Sequence, residues 1–310
     1  MNLDFGGTLR RAWDITWKHK ILWLFGIFSA ILGRASFSFN RGGGPRFNPT
    51  NFLQGNFPQL SRAFPNLDQN TIIAIALGIL CVGLIIAITL YILHVIARGG
   101  LIGGIQLADT TGQVSFGQAW GAGLQHFWTV LLIGLIVAII GILIAAASVF
   151  AAATICLTPL ACIGFLLIAV LGVYTYLAQI AAVTENLSFS EALAKAWQVV
   201  QANLVPVLIM AVILIVIEVV LGFIFAIPFV IAVAPLLIAA GVAAAGGNGQ
   251  AVGATAIISG LCLIVWIPVV IVLQGILETW AISAWTLAYK QLSAAPGSAM
   301  APASPAPAAS

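Results

Sequence analysis

Charged residues are scarce in this sequence. Only 6% of its 310 residues are Asp, Glu, Lys or Arg, whereas 62% are hydrophobic, and the mean hydropathy is +1.15. A soluble domain carries about 25% charged residues, so most of this surface cannot face water. The 11 Lys and Arg residues are spread thinly and do not form the cluster that nucleic-acid binding requires. We therefore expect a membrane protein that does not bind nucleic acid.

Residues that build metal centres and catalytic sites are also few. The three histidines stand on separate segments, and the four cysteines lie in apolar segments without zinc-ligand spacing. The sequence has neither a Gly-x-Ser-x-Gly nor a His-Glu-x-x-His motif. We expect no metal, no cofactor and no catalytic residue, and we predict that the protein is not an enzyme.

Long apolar runs dominate the remainder of the chain. Each of five uninterrupted runs exceeds the roughly 20 residues that a helix needs to cross the hydrocarbon core of a bilayer. A shorter run, residues 21–32, resembles either a sixth span or the core of a cleaved signal peptide. The sequence predicts an all-α, polytopic transmembrane helical bundle. The five long runs are residues 71–97, 127–156, 159–183, 204–240 and 254–287.

A similar sequence motif precedes three of the apolar runs. Each copy contains an Ala-Trp pair on an apolar stripe with helical spacing, and a polar residue follows six positions after the Trp. The motif predicts a short amphipathic helix whose Trp lies at the depth of the lipid headgroups. The copies are Ala12-Trp13 with His19, Ala119-Trp120 with His126, and Ala196-Trp197 with Asn203.

Two of these copies also carry a signal for the start of a helix. Ser115 with Gln118, and Ser188 with Glu191, fit the capping box. Glu191 also stands four residues before Lys195, a spacing that favours an ion pair. We therefore predict three repeats of an interfacial amphipathic helix followed by a transmembrane hairpin. Three repeats give about six spans, and they make the first apolar run a retained span.

The predicted organisation has four parts. Residues 1–33 form an interfacial helix and the first span, residues 34–70 a flexible extracytoplasmic loop, residues 71–292 the remaining bundle, and residues 293–310 a disordered Ala/Pro/Ser tail. With six spans, seven of the Lys and Arg residues lie on the side of the termini and four in the loop. The positive-inside rule then places both termini in the cytoplasm.

Two stretches carry a family resemblance. The sequences GGLIGGIQLADTTGQVSFGQAWGAGLQHFWTVLLIGLIV and AQIAAVTENLSFSEALAKAWQVVQANLVPVLIM resemble the YciC-like bacterial membrane proteins and the membrane domain attached to some glycerophosphodiester phosphodiesterases. The resemblance covers most of residues 72–292. It implies an uncharacterised inner-membrane protein and brings no site residues with it. The TIM-barrel phosphodiesterase domain is not found in this chain, so the resemblance does not imply hydrolysis.

Ionisable residues inside the apolar runs are the candidate binding residues. Glu218 falls near the middle of its run, where a carboxylate is costly and is often functional. Glu278, with Gln274 one turn earlier, and His94 are the other candidates. If Glu218 and Glu278 face each other, they could share a proton or hold a cation. In the alternative interpretation, Glu218 is protonated and serves packing, and His94 and Glu278 lie at the interface.

Two functions follow from these features. The first is a non-enzymatic module that binds membrane lipids or a partner protein, with a homo-oligomer also open. The alternative is a small secondary transporter that uses Glu218 in a mid-membrane site. The predicted membrane-interface anchors are Trp13, Trp120, Trp197, Arg10, Arg11, Lys18 and Lys20.

Overall fold

The computed structural model describes residues 3–38, 69–153, 158–244 and 250–294. Within these ranges the chain is almost entirely α-helical, which confirms the predicted fold class. Most of the predicted loop and tail, residues 39–68 and 295–310, lies outside the described residues. The helices are α1 Phe5–Lys18, α2 Ile21–Ser38, α3 Gln69–Thr111, α4 Phe116–Gln125, α5 Phe127–Ala153, α6 Thr158–Thr184, α7 Phe189–Ala202, α8 Leu204–Ala244 and α9 Gln250–Ser293.

Five of these helices are long and apolar enough to cross a membrane. The sixth predicted span corresponds to a shorter apolar segment of α2, Ile21–Ala30. The protein is therefore a multi-pass helical membrane protein, with five spans that meet the criteria of length and composition. The five long segments are Ile73–Thr111, Phe127–Phe150, Leu166–Thr184, Leu204–Ala239 and Ile257–Ser293.

Each short amphipathic helix begins at a capping residue. Ser115 and Gln118 form the predicted box, with the Gln118 amide donating to Ser115 Oγ at 3.3 Å and the Ser115 amide to Gln118 Oε1 at 3.0 Å. At α7 the Glu191 carboxylate accepts from the Ser188 amide at 3.0 Å and from its hydroxyl at 2.7 Å. Asp4 caps α1 by accepting from the Gly7 amide at 2.9 Å, a cap that the sequence analysis missed.

Each short helix also ends at the polar residue that the sequence analysis singled out. The amides of His19, His126 and Asn203 donate to the carbonyls four residues earlier, and the next helix starts one or two residues later. The side chains of His126 and Asn203 also bond to those carbonyls, at 3.0 and 3.2 Å. Such side-chain bonds compete with continuation of the helix, so these residues form the joints between amphipathic and apolar helices.

The buried core lies at one end of the bundle, which we call the packed end. It is formed by α1, α4, α7, the first half of α2, the N-terminal parts of α5 and α8, and the C-terminal parts of α3, α6 and α9. The Ala of every Ala-Trp pair is fully buried there: Ala12, Ala119 and Ala196 are each 0% exposed. By contrast, large apolar side chains are exposed along α3 up to Ile92 and along α9 up to Val272. This second region is the surface that lipid must cover.

Candidate functional site

Asp109, near the C-terminal end of α3, fixes α1 on the packed end. Its Oδ1 lies 2.6 Å from Arg11 Nη2 of α1, and its Oδ2 lies 2.8 Å from Lys290 Nζ of α9, while its own side chain is 11% exposed. Trp280 Nε1 donates to the Leu9 carbonyl at 3.4 Å, which adds a second tie between α9 and α1. Arg11, predicted as a lipid anchor, therefore has a protein partner.

A second carboxylate holds α6 and α7 at the same end. The Tyr289 hydroxyl donates to Glu185 Oε1 at 2.6 Å, and Lys195 Nζ lies 3.9 Å from Glu185 Oε2. Lys195 thus pairs with Glu185, whereas Glu191, its expected partner, is engaged in the capping box. The predicted pairing within α7 is replaced by a contact between elements.

Three tryptophans form a contiguous surface beside α1. The ring centroids of Trp13 and Trp17 lie 5.4 Å apart, and those of Trp17 and Trp23 lie 5.2 Å apart. Trp13 and Trp17 are 50% and 43% exposed, and Trp23 Nε1 donates to the Thr16 carbonyl at 2.7 Å. The sequence analysis named only Trp13 of these three. Trp17 lies one helical turn after Trp13 on α1, whereas Trp23 reaches it from the start of α2.

Three exposed cations flank these rings. Arg10, Lys18 and Lys20 are exposed, and none of them belongs to an ion pair among the described residues. Asp14, also exposed, is the one carboxylate on the outer face of α1, so the local charge is positive. We call this set the Trp surface: Trp13, Trp17, Trp23, Arg10, Lys18 and Lys20.

The other two predicted Trp anchors differ from each other. Trp197 is 55% exposed and meets the Tyr174 ring edge-on, with centroids 6.4 Å apart. Trp120 is half-buried and stacks on Phe116 at 5.8 Å. Trp197 therefore keeps about half of its surface exposed, whereas Trp120 belongs partly to the packing of α4.

A cluster of polar side chains lies between four helices, close to where the exposed apolar surface ends. Ser29 Oγ of α2 lies 3.5 Å from Glu278 Oε1 of α9, and the His94 ring of α3 lies against the Ser29 backbone. One turn after His94, the Arg98 guanidinium lies 4.3 Å from the centroid of the Tyr176 ring of α6. We call Ser29, His94, Arg98, Tyr176 and Glu278 the central polar cluster.

This cluster unites two of the four predicted binding residues. His94 and Glu278 meet around Ser29, while Gln274 is half-buried on α9 one turn before Glu278. Glu218 lies on an exposed face of α8 and, like Gln274, has interaction partners of its own. Arg98 was not among the predicted binding residues. Its position one helical turn from His94 was the signal that could have identified it.

A separate open groove runs between α3 and α4, with a volume of about 460 Å³. His126 at its edge is held in place, because its Nε2 lies 3.0 Å from Asn186 Oδ1. Its polar lining is made of amide, hydroxyl and imidazole groups, and its lining residues include no Asp, Glu, Lys or Arg. Those residues are Gln106, Thr110, Gln118, Gln125 and His126.

The metal-ligating residues that the structure describes and the comparisons with known proteins do not point to a further functional site. Among the described residues, no group of three or more His, Cys, Asp or Glu side chains could hold a metal ion. Comparison with family models, curated proteins and solved structures finds no match. The functional argument therefore rests on the Trp surface and the central polar cluster.

Proposed function

We propose that this protein is a non-enzymatic membrane module that binds anionic lipid at the membrane surface through the Trp surface. The observation that carries the proposal is the row of exposed Trp13 and Trp17 with half-buried Trp23, and three exposed cations beside it. Indole rings favour the headgroup region, where the ring is buried and the N–H can stay hydrated. Each nearby Lys or Arg adds about 1 kcal/mol of attraction to an anionic leaflet.

The way α1 is held supports this function. Arg11, Leu9 and Thr8 bind α3 or α9, so the inner face of α1 is fixed on the packed end and its outer face is presented as a rigid surface. A preorganised surface loses less conformational entropy on binding than a mobile segment does. The exposed Trp197 of α7 supplies a further contact of the same kind.

The proposal includes a topology. The short helices, each capped and each joined to an apolar helix, support three repeats of one unit, and the positive-inside rule favours cytoplasmic termini. Together with the resemblance to YciC-like proteins, this supports placement in the bacterial inner membrane. A partner protein or a second copy of the chain remains an alternative occupant of the same surface. The transporter alternative has less support, because Glu218 lies on an exposed face of α8.

Lipid selectivity in nanodiscs tests the proposed function. Spin-labelled phosphatidylglycerol and phosphatidylcholine report how strongly each lipid is immobilised by the full chain. We expect a preference for phosphatidylglycerol that falls several-fold in the variant R10Q/K18Q/K20Q and is kept in the charge-retaining variant R10K/K18R/K20R. Equal immobilisation of the two lipids by the unmodified protein would contradict the proposal.

A further inference from the structure

Two nitrogen atoms of the central polar cluster are buried without a hydrogen bond to any described residue. They are His94 Nδ1 and Arg98 Nε, both on α3. Buried polar groups in native proteins are nearly always paired, so a pair of unsatisfied nitrogens on neighbouring turns requires an explanation. The Arg98 Nε–H is always a donor, whereas His94 Nδ1 donates only when the ring carries both protons, because the other ring nitrogen faces the Ser29 backbone. The unsatisfied Arg98 donor therefore points to an acceptor beside it.

Arg98 also forms no ion pair with the part of the chain that the structure describes. Its guanidinium contacts the aromatic face of Tyr176, and the ion pairs among the described residues involve other cations. Glu278, the carboxylate of the cluster, is directed instead at Ser29. A cation within a membrane-spanning helix is normally paired, so Arg98 has capacity for an anion.

The position of the two residues along α3 indicates where that anion comes from. The most apolar part of this helix has none of its residues buried within the protein, and its exposed apolar side chains end at Ile92. His94 and Arg98 follow within two turns. Acyl chains that cover α3 therefore end beside these two side chains, where a lipid phosphate lies.

We propose that Arg98 and His94 bind the phosphate group of one membrane lipid whose acyl chains lie along the exposed part of α3. A guanidinium matches the oxygens of a phosphate with two parallel hydrogen bonds, and His94 adds a further donor in its doubly protonated form. The site rests on the proposed lipid-binding function but uses none of the residues of the Trp surface.

Native mass spectrometry of the full chain, released from nanodiscs that contain phosphatidylglycerol, tests this site. We expect one phospholipid retained per chain, with retention reduced about 10-fold or more in Arg98→Gln, as for the loss of hydrogen bonds to a charged group. His94→Gln should give a smaller loss. Unchanged retention in a folded Arg98→Gln variant would overturn the proposal.

Three further arms make the result specific. R10Q/K18Q/K20Q should keep the retained lipid, so failure of this site and failure of the Trp surface are seen separately. Diacylglycerol, which has no phosphate, should not be retained in its place; equal retention overturns the role of the phosphate. Displacement of the lipid by millimolar inorganic phosphate overturns the lipid assignment in favour of the free ion.

If Arg98→Gln does not fold, Arg98→Lys is the variant to measure. It keeps the positive charge but cannot form the two parallel hydrogen bonds of a guanidinium. Retention of the phospholipid at the level of the unmodified protein would contradict the proposal.

Discussion

Asp109 and Arg11, nearly one hundred positions apart in the chain, meet at 2.6 Å between Oδ1 and Nη2. The same carboxylate binds Lys290, 181 positions further along. One side chain thus joins the first, third and last described helices. It adds to the contacts of the buried face of α1, which includes Ala12 and Ile15, while Trp13 and Trp17 lie on the face that stays exposed.

Asp109→Asn should loosen the docking of α1. The substitution leaves Arg11 and Lys290 without their carboxylate, and we expect a loss of about 1–3 kcal/mol in unfolding free energy. Thermal unfolding of the purified protein, followed by the fluorescence of its tryptophans, measures this loss. Asp14→Asn, on the exposed face of α1, is the matched control and should change stability by less than about 0.5 kcal/mol. Equal effects of the two substitutions would contradict the assigned role of Asp109.

Close contact between α3 and α4 depends on Gly123. A Cβ at this position would collide with the Ile96 carbonyl oxygen of α3, whereas a Cβ at Gly121, two residues earlier, meets nothing within 4 Å. We expect Gly123→Ala to destabilise the protein by about 1–3 kcal/mol. Gly121→Ala should instead stabilise it by up to about 1 kcal/mol, because alanine favours the helix. Parallel thermal unfolding of both variants checks this prediction, and the same sign for both would refute it.

The capping box of α7 should make stability depend on pH. The hydrogen bonds from Ser188 lower the pKa of Glu191 below its ordinary value of 4.5. Because the folded-state pKa is the lower one, the stabilisation is complete above pH 4.5 and is lost as the pH falls through the lowered pKa. In Glu191→Gln the acid-dependent part of the stability should disappear. The curves of Tm against pH for the variant and for the unmodified protein should therefore diverge below pH 4.5.

The box of α4 provides an internal comparison for that experiment. It uses Gln118 in place of a carboxylate, so it does not titrate and should contribute equally at every pH. Gln118→Glu should therefore introduce at α4 the acid sensitivity that Glu191→Gln removes from α7. Parallel pH profiles in the unmodified protein and in both variants would show that the boxes do not govern acid stability.

Local features of the fold could be predicted from the sequence. The capping boxes at Ser115 and Ser188 and the joints at His126 and Asn203 depend on contacts within four residues, which spacing alone reveals. Asp4 could have been found in the same way, because Asp4-Phe5 occupies the place of Ser188-Phe189. The length and apolar composition of the spans were likewise sufficient to indicate a multi-pass bundle.

Contacts between distant segments could not be predicted. The pairing of Arg98 with the Tyr176 ring and of Glu185 with Tyr289 depends on which helices become neighbours. Likewise, depth along an apolar run placed Glu218 near mid-membrane, but the face on which it lies is set by the packing of α8 against other helices. Periodicity cannot supply that information in a helix that is apolar on every side.

The depth of Trp17 in the membrane tests the central claim most directly. A spin label at Trp17→Cys, in a chain without its native cysteines, reports its depth in nanodiscs through collisions with oxygen and with a water-soluble nickel complex. We predict a position within the headgroup region, shallower than a label at Ile85→Cys in the exposed apolar part of α3 and deeper than one at Gln113→Cys in the exposed connection between α3 and α4. A label at Trp17→Cys that meets only the aqueous quencher would place the Trp surface away from lipid and contradict the account.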